Sequence, residues 1–404
     1  MKNNQSILIV TECFYPEEFK INDVAISWKN KGYDVDVLTL TPTYPSGKVF
    51  PGYKNRIFYQ KDIYKGVNIY RIFAVTGYKE SVFKKILRYI NFMFLGSIIA
   101  IFVGRKYRYV FGWNAGALTD MLPAVLIRKL YGTPTMLWVQ DVWPDSVYAY
   151  GFKKTKILSL LLDAFVRFIY NNISSIAISS KGFESILKPY IKNDIKFNYA
   201  PNWAEELDMQ INPVNFSKTE KIHLTFAGNI GKLQNLENII KSYLLLSSEY
   251  QNRSQLNIIG DGSNFKNVKL SAKENSNIVF HGKKSYSDMA RYYKASDFLI
   301  ISLIDEPILK VTIPGKLQTY IAAKKPILGI INGDVADIIL NNNLGICADP
   351  SNLNIIKKAF ETCIDMSESK KLEFLKNNTN LLKTTFNKDI IIDDLRIQLL
   401  ESGS

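Results

Sequence analysis

At 404 residues the chain is longer than one hydrophobic core comfortably organises, so two domains of roughly 200 residues are expected. Its 47% hydrophobic and 22% charged residues exclude a disordered or fibrous chain. Three widely spaced cysteines, Cys13, Cys347 and Cys363, argue against a disulfide framework or a zinc site and point to the cytoplasm.

The net charge of +14 is unevenly placed. Residues 1–200 hold 27 Lys and Arg against 14 Asp and Glu, or +13, whereas residues 201–404 hold 24 against 23. That asymmetry predicts an N-terminal half that faces a polyanion or an anionic membrane.

In chain order, MKNNQSILIV enters a strand with no small-residue cleavage site, so no secretory signal is expected. Ser6–Phe14, Val35–Leu40, Ile69–Val75, Tyr109–Trp113, Thr135–Val139 and Ile176–Ser179 read as buried strands. Longer helical stretches separate most of them, which is the pattern of a doubly wound α/β domain. Ligands of such sheets sit at the carboxyl ends of the strands, so the loop Tyr15-Pro16-Glu17-Glu18 and Asn22 after the first strand are candidate contacts, with Asn22 preferred. Asp34-Val35-Asp36 has the Asp-x-Asp form of a metal site, but it begins a strand after the Gly32 turn, at the amino end of the sheet, and reads as a decoy.

The most apolar run, INFMFLGSIIAIFV from Ile90 to Val103, is 14 residues long, short of the roughly 20 needed to span a membrane. Lys84, Lys85 and Arg88 precede it, Arg105, Lys106 and Arg108 follow it, and a second basic amphipathic stretch runs from Lys153 to Tyr170. A buried core helix is the plain alternative for the run alone. The doubled pattern and the charge asymmetry predict peripheral contact with an anionic membrane surface.

Trp138-Val139-Gln140-Asp141-Val142-Trp143-Pro144-Asp145 ends a strand with two carboxylates and two tryptophans, a composition suited to stacking on sugars and hydrogen-bonding their hydroxyls. Asp141 and Trp143 are the candidates there; Asp145 serves equally well as a helix N-cap. Near Tyr199-Ala200-Pro201-Asn202-Trp203 the pattern breaks, and an acidic polar linker runs to Glu220. Strands then resume at Ile222–Ala227, Leu256–Gly260, Ile278–His281, Phe298–Leu303 and Ile327–Ile331. The expected division is therefore 1–200, 201–385 and a C-terminal helical segment, 386–404.

The second half carries phosphate-site features. Gly228-Asn229-Ile230-Gly231-Lys232 closes its first strand, where glycines let backbone approach a phosphate and Lys232 reaches it. Gly260-Asp261-Gly262 and His281-Gly282-Lys283 end the next two strands and offer backbone groups to a nucleotide base. Farther on, Pro314 suits the first turn of a helix that ends before Pro326. That turn has free N–H groups, Lys316 adds a full charge, and Gln318 offers donors and an acceptor to sugar or ribose hydroxyls. Ordinary turns and a solvated lysine are the plain alternative.

Taken in order, IVTECFYPEEFKINDVA, TPTYPSGK with GYK, MLWVQDVWPDSVYAYG, YAPNW, TFAGNIGKLQNLE and TIPGKLQTYIAAKKPILG resemble family-4 glycosyltransferases of the GT-B fold, especially the bacterial surface-polysaccharide branch with its L-fucosamine and other amino-sugar transferases. The resemblance implies two Rossmann-like domains facing a cleft, with the C-terminal helix crossing back to the N-terminal domain. It further implies a UDP-sugar donor, here a UDP-N-acetylhexosamine, held by the C-terminal domain, and a polyprenyl-diphosphate-linked acceptor held by the N-terminal domain through residues such as Tyr44. No cofactor, metal or nucleic acid is implied, and catalysis retains the anomeric configuration. Lys232 and Lys316 would then stabilise the leaving diphosphate, and Asp141 would orient or deprotonate the acceptor hydroxyl. One departure stands out: many members carry two glutamates with seven residues between them, where this chain has Lys310 and Gln318, leaving Glu306 as a possible sugar contact. A UDP-sugar 2-epimerase of the same fold is a poorer fit to a chain with two histidines, and a non-enzymatic basic protein leaves the lysine sites unused.

Overall fold

The computed structural model describes residues 5–57, 59–149, 152–192, 195–216 and 220–403, so residues 1–4 and linker residues 217–219 lie outside it. The chain forms two compact units, Met1–Pro201 with Ile391–Ser404, and Asn202–Ile390.

The first unit is built on an eight-stranded sheet of β1 (Ser6–Val10), β2 (Asp34–Leu40), β3 (Gln60–Tyr64), β4 (Val67–Ile72), β5 (Tyr109–Asn114), β6 (Thr135–Val139), β7 (Ser175–Ile178) and β8 (Phe197–Tyr199). Their order is β3-β4-β2-β1-β5-β6-β7-β8, parallel except for β3, which pairs antiparallel with β4. The central strands are buried on both faces, which is why they read as unbroken apolar runs. β3 escapes the sequence reading because QKDIY is a polar edge, alternately half-buried and exposed.

The apolar run proves to be part of one continuous helix, Val82–Gly104, of 23 residues, widened to a π turn at Phe92–Gly96. By length and composition it could cross a membrane. One of its faces is committed to the domain: a Cβ at Gly104 would stand 2.7 Å from Ile127 and one at Gly96 3.1 Å from Pro123, both on the helix Leu122–Tyr131. Tyr131 also donates to the Ile101 carbonyl at 2.6 Å. The opposite face exposes Phe83, Ile90, Phe94, Ile98 and Phe102.

The second unit has a six-stranded, wholly parallel sheet of β9 (Ile222–Ala227), β10 (Ser254–Ile259), β11 (Ile278–Gly282), β12 (Phe298–Ser302), β13 (Ile327–Ile330) and β14 (Gly345–Ala348), in the order β11-β10-β9-β12-β13-β14. Two apolar clusters, centred on Phe226, Ile258 and Phe360 and on Leu299, Tyr320 and Ile339, make its core. The C-terminal helix Lys388–Glu401 leaves this unit and joins the first: Trp28 Nε1 donates to the Ile392 carbonyl at 3.1 Å, and Asp393 accepts from Lys31 at 2.6 Å.

Candidate active site

In the second unit, the reversal of strand order between β11 and β12 is what assembles the site. β9 lies beside β12, so the segment following β12 returns over the carboxyl end of β9. There the helix Lys316–Ala322 is clamped by Tyr320, whose hydroxyl donates to the Ala227 carbonyl at 3.2 Å and accepts from the Ala227 amide at 3.3 Å. The helix begins at Lys316 with Gly315 as its cap, two residues later than expected, and Pro314 precedes the first turn.

The clamp sets Lys316 over the Gly228 turn. Gly228 has φ +136°, and a Cβ there would lie 2.5 Å from Lys316 Cε, so glycine is required both by conformation and by space. Around it, a Cβ on Gly262 would meet the Ile230 carbonyl at 2.5 Å and Asn229 Oδ1 at 2.6 Å, and one on Gly231 would meet Asn229 Nδ2 at 3.1 Å. Gly228, Asn229, Gly231, Gly262 and Lys316, spread over almost 90 positions of sequence, thus form one polar backbone floor.

The Lys316 ammonium is buried 3.7 Å from the centre of the Phe226 ring and has no hydrogen-bond partner. Burial pushes its pKa down to about 7. Beside it on the same helix Gln318 is buried with both amide atoms unpartnered. Native interiors pair such groups, so two orphaned side chains next to a glycine floor mark a place where a polar anionic ligand would complete the bonding.

The other predicted residues are placed differently. Lys232 is solvent-exposed at the start of the turn Lys232–Gln234. His281 turns its ring to Asn257 Oδ1 at 2.9 Å and packs against Phe216 and Tyr292, so only its main chain is left for a ligand; Gly282 carbonyl accepts from the Gly260 amide at 2.9 Å. Glu306 is exposed and caps the short helix Pro307–Lys310. Lys310, in place of the expected glutamate, holds Asp305 at 3.0 Å, and Asn332 donates to the same oxygen at 2.9 Å. Those two bonds keep Asp305 below the ordinary carboxylate range and supply a fixed carboxylate that sequence reading missed.

In the first unit, Asp141 follows β6. Its Oδ1 accepts from the Val142 amide at 3.0 Å, and burial raises its pKa to about 6 against opposing hydrogen bonds from Ser146 and Val142 and the charge of Lys85. Trp143 is half-buried, whereas Trp138 belongs to the core, with Nε1 bonded to the Ala200 carbonyl at 2.8 Å. Asn22 is engaged in bracing the loop after β1: it donates to the Glu17 carbonyl at 2.7 Å and accepts from the Tyr15 amide at 3.2 Å. Tyr44 is exposed and packs against Phe19 at 5.1 Å, its amide bonded to Glu17. Asp36 of the Asp-x-Asp pair is buried among Lys106, Tyr107 and Asn68 and serves the fold.

Sequence reading missed a buried ionic cluster at the carboxyl end of β1. Arg88, read above as a membrane-facing cation, is 3% exposed and pairs with Glu12, and it also donates to Thr43. Asp120 is buried beside Glu12, and burial followed by that neighbour's charge lifts its pKa well above the carboxylate range. Glu17 accepts the Thr43 and Tyr44 amides at 2.7 and 2.6 Å. No local spacing announces this set, because its members come from four separate segments.

Residues 209–380 match the family Glycosyl transferases group 1. WbjE of Pseudomonas aeruginosa, named as a probable glycosyltransferase, is 26% identical over 252 residues, covering 59% of this chain and 62% of WbjE. WcaI of Escherichia coli, named as a putative colanic acid biosynthesis glycosyl transferase, is 23% identical over 72% of this chain and 74% of WcaI. Among solved structures, sucrose-phosphate synthase of Thermosynechococcus elongatus superposes with a TM-score of 0.71 at 13% identity over 98% of this chain and 100% of its own. Anabaena HepE in complex with UDP and glucose does so with 0.62 at 10% identity over 98% and 100%. The fold is thus GT-B, with two Rossmann-like sheets, and residues 209–380 carry the match to group 1 glycosyltransferases.

Proposed function

We propose, starting from that match, that the chain is a retaining transferase moving a sugar from a UDP-sugar, an N-acetylated amino sugar by the motif resemblance, to a polyprenyl-diphosphate-linked acceptor in O-antigen or capsule synthesis. The observation that carries the reading is the buried, unpartnered Lys316 ammonium over the Gly228 turn. A diphosphate placed there satisfies the ammonium, and the missing side chains of Gly228, Gly231 and Gly262, whose amides are already bonded within the protein, leave it room to approach the backbone. As the glycosidic bond to the diphosphate breaks, charge grows on the leaving oxygens, and a cation already desolvated beside them needs no reorganisation. Lys232, exposed and long, reaches the same group from solvent. Gln318 takes a ribose hydroxyl, and Asp305 a sugar hydroxyl. In the first unit Asp141 receives or orients the acceptor hydroxyl. The names of WbjE and WcaI support a polysaccharide product.

The acceptor is a lipid, and the exposed apolar residues of Val82–Gly104 and of the helix Lys156–Tyr170, where Ile157, Leu160 and Leu161 face solvent, support work at an anionic inner-membrane surface. An epimerase would need acid and base groups around the sugar, whereas His223 and His281 both pair with Asn257.

The test is incubation with a panel of UDP-sugars, following UDP release. Wild type is expected to hydrolyse one donor slowly and to turn over with a lipid acceptor, and Lys316→Ala to lose about 10²-fold or more of turnover. Near-normal turnover in Lys316→Ala refutes the assignment.

A further inference from the structure

At the far end of the helix Val82–Gly104, a cavity of about 680 Å³ is lined by Tyr59, Lys61, Tyr70, Phe102, Arg105 and Lys106. We propose that it binds the phosphate headgroup of an anionic membrane lipid. The inference rests on the membrane contact proposed above and assigns it a specific site.

Charge is the first support. Lys106 Nζ bonds Asp36 at 2.8 Å and the Tyr70 hydroxyl at 2.9 Å, which fixes it at the cavity floor. Asp36 is 2% exposed and is also bonded to Tyr107 and Asn68, so its charge is spent inside the domain. Lys61 and Arg105 form no ion pair among the described residues and remain as two uncompensated cations. The carboxyl end of the helix contributes about half a negative charge, too little to cancel them. The site therefore favours an anion.

Shape and polarity select the kind of anion. Tyr59 and Tyr70 stand 5.7 Å apart as aromatic walls, and Phe102 on the rim is 80% exposed. From Phe102 the apolar stripe continues through Ile98 and Phe94 along the helix. A lipid places phosphate among the cations and its acyl chains on that stripe. A polynucleotide, the other polyanion a basic surface attracts, would leave the phenylalanines in water.

The cavity is also separate from Asp141, the residue proposed to meet the acceptor hydroxyl. Lys85 of the same helix acts through its charge on Asp141, and 20 residues of helix put Arg105 roughly 30 Å from Lys85. The cavity thus holds a second lipid, at the opposite end of the helix from the end that neighbours Asp141.

The experiment uses the full chain, the variant Lys61→Gln/Arg105→Gln, and the control Lys376→Gln/Lys383→Gln, which removes the same charge from the exposed face of the helix Glu368–Lys383. Calorimetry with monomeric dihexanoylphosphatidylglycerol is expected to show one site per chain. The cavity variant should weaken it about thirtyfold, each cation contributing about fivefold, and the control less than twofold. Glycerol 1-phosphate should bind at least tenfold more weakly than the lipid. Equal loss in both variants overturns the site, and equal affinity for glycerol 1-phosphate assigns it to soluble phosphates instead. Sedimentation with phosphatidylglycerol vesicles separates the two levels. Wild type that binds vesicles but shows no saturable short-chain site refutes the cavity alone, and wild type that binds no vesicles refutes the membrane reading beneath it. Turnover on a soluble acceptor should be unchanged in both variants.

Discussion

The proposed seat of the donor diphosphate on Lys316 predicts that donor binding is a proton-coupled event. An unfolded lysine titrates near 10.5, whereas burial without a counter-charge brings Lys316 to about 7, so at pH 8 only about a tenth of the free protein carries the ammonium. A diphosphate against the amine restores the charged form, and UDP binding at pH 8 should take up about 0.9 proton. The same group sets a stability slope. Because its folded pKa lies below the unfolded one, the unfolded chain holds more protons between pH 7 and 10.5, and stability rises with pH across that window. Below pH 7 the full penalty applies, up to roughly 5 kcal/mol for a pKa lowered from 10.5 to about 7. Calorimetry of UDP binding in buffers of different ionisation enthalpy measures the uptake. Lys316→Met should abolish it, weaken UDP, and raise the unfolding free energy near pH 7 while leaving it little changed at pH 10. Proton uptake that persists in Lys316→Met, or a variant no more stable than wild type at pH 7, would show that the ammonium is not the desolvated group described here.

Turnover should persist in excess EDTA, since the proposed reading gives Lys316 the charge a divalent ion would otherwise provide; a metal-reversible loss would contradict this. With Asp141 raised to about 6, its carboxylate form is gained as pH rises through 6, so kcat/KM should climb across that range, and Asp141→Asn should lose about 10²-fold or more together with the acid limb. Arg88→Gln leaves the half-buried Glu12 without its cation and should cost about 3 kcal/mol in urea unfolding, against less than about 1 if the pair were solvated. Phe83→Ser/Phe94→Ser should reduce vesicle binding about thirtyfold, at about 1 kcal/mol per ring withdrawn from the interface, with soluble-acceptor turnover unchanged; undiminished binding would remove this face from the membrane contact.

The glycine turns of the second unit were legible in sequence because their signals are local and punctuated. Apolar runs such as Leu256–Gly260 end in glycines, and the fold rule for parallel sheets places those ends together, so Gly228 and Lys316 could be matched before any coordinates. What sequence could not supply was the state of the side chains. It did not show that Lys316 is desolvated while Lys232 is in water, or that Lys310 is taken by Asp305. The first unit was less legible for the same reason. Glu12, Arg88 and Asp120 carry no spacing that reveals their meeting, and Asn22 looks identical in sequence whether it binds a ligand or a loop.

Arg88 also shows why charge counting needs burial beside it. The +13 of the first 200 residues drew attention to the helix Val82–Gly104, and the exposed phenylalanines agree with that attention. Yet of its flanking cations Arg88 faces inward to Glu12, Lys106 is bonded to Asp36, and Lys85 lies near enough to Asp141 to lower its pKa. The helix therefore does two things with one sequence: an outward apolar face suited to lipid, and inward cations that set the charge at the carboxyl ends of β1 and β6. A helix that only anchored the protein would tolerate neutral residues at both inward positions. Loss of stability in Arg88→Gln with vesicle affinity retained is the outcome that this division of labour requires.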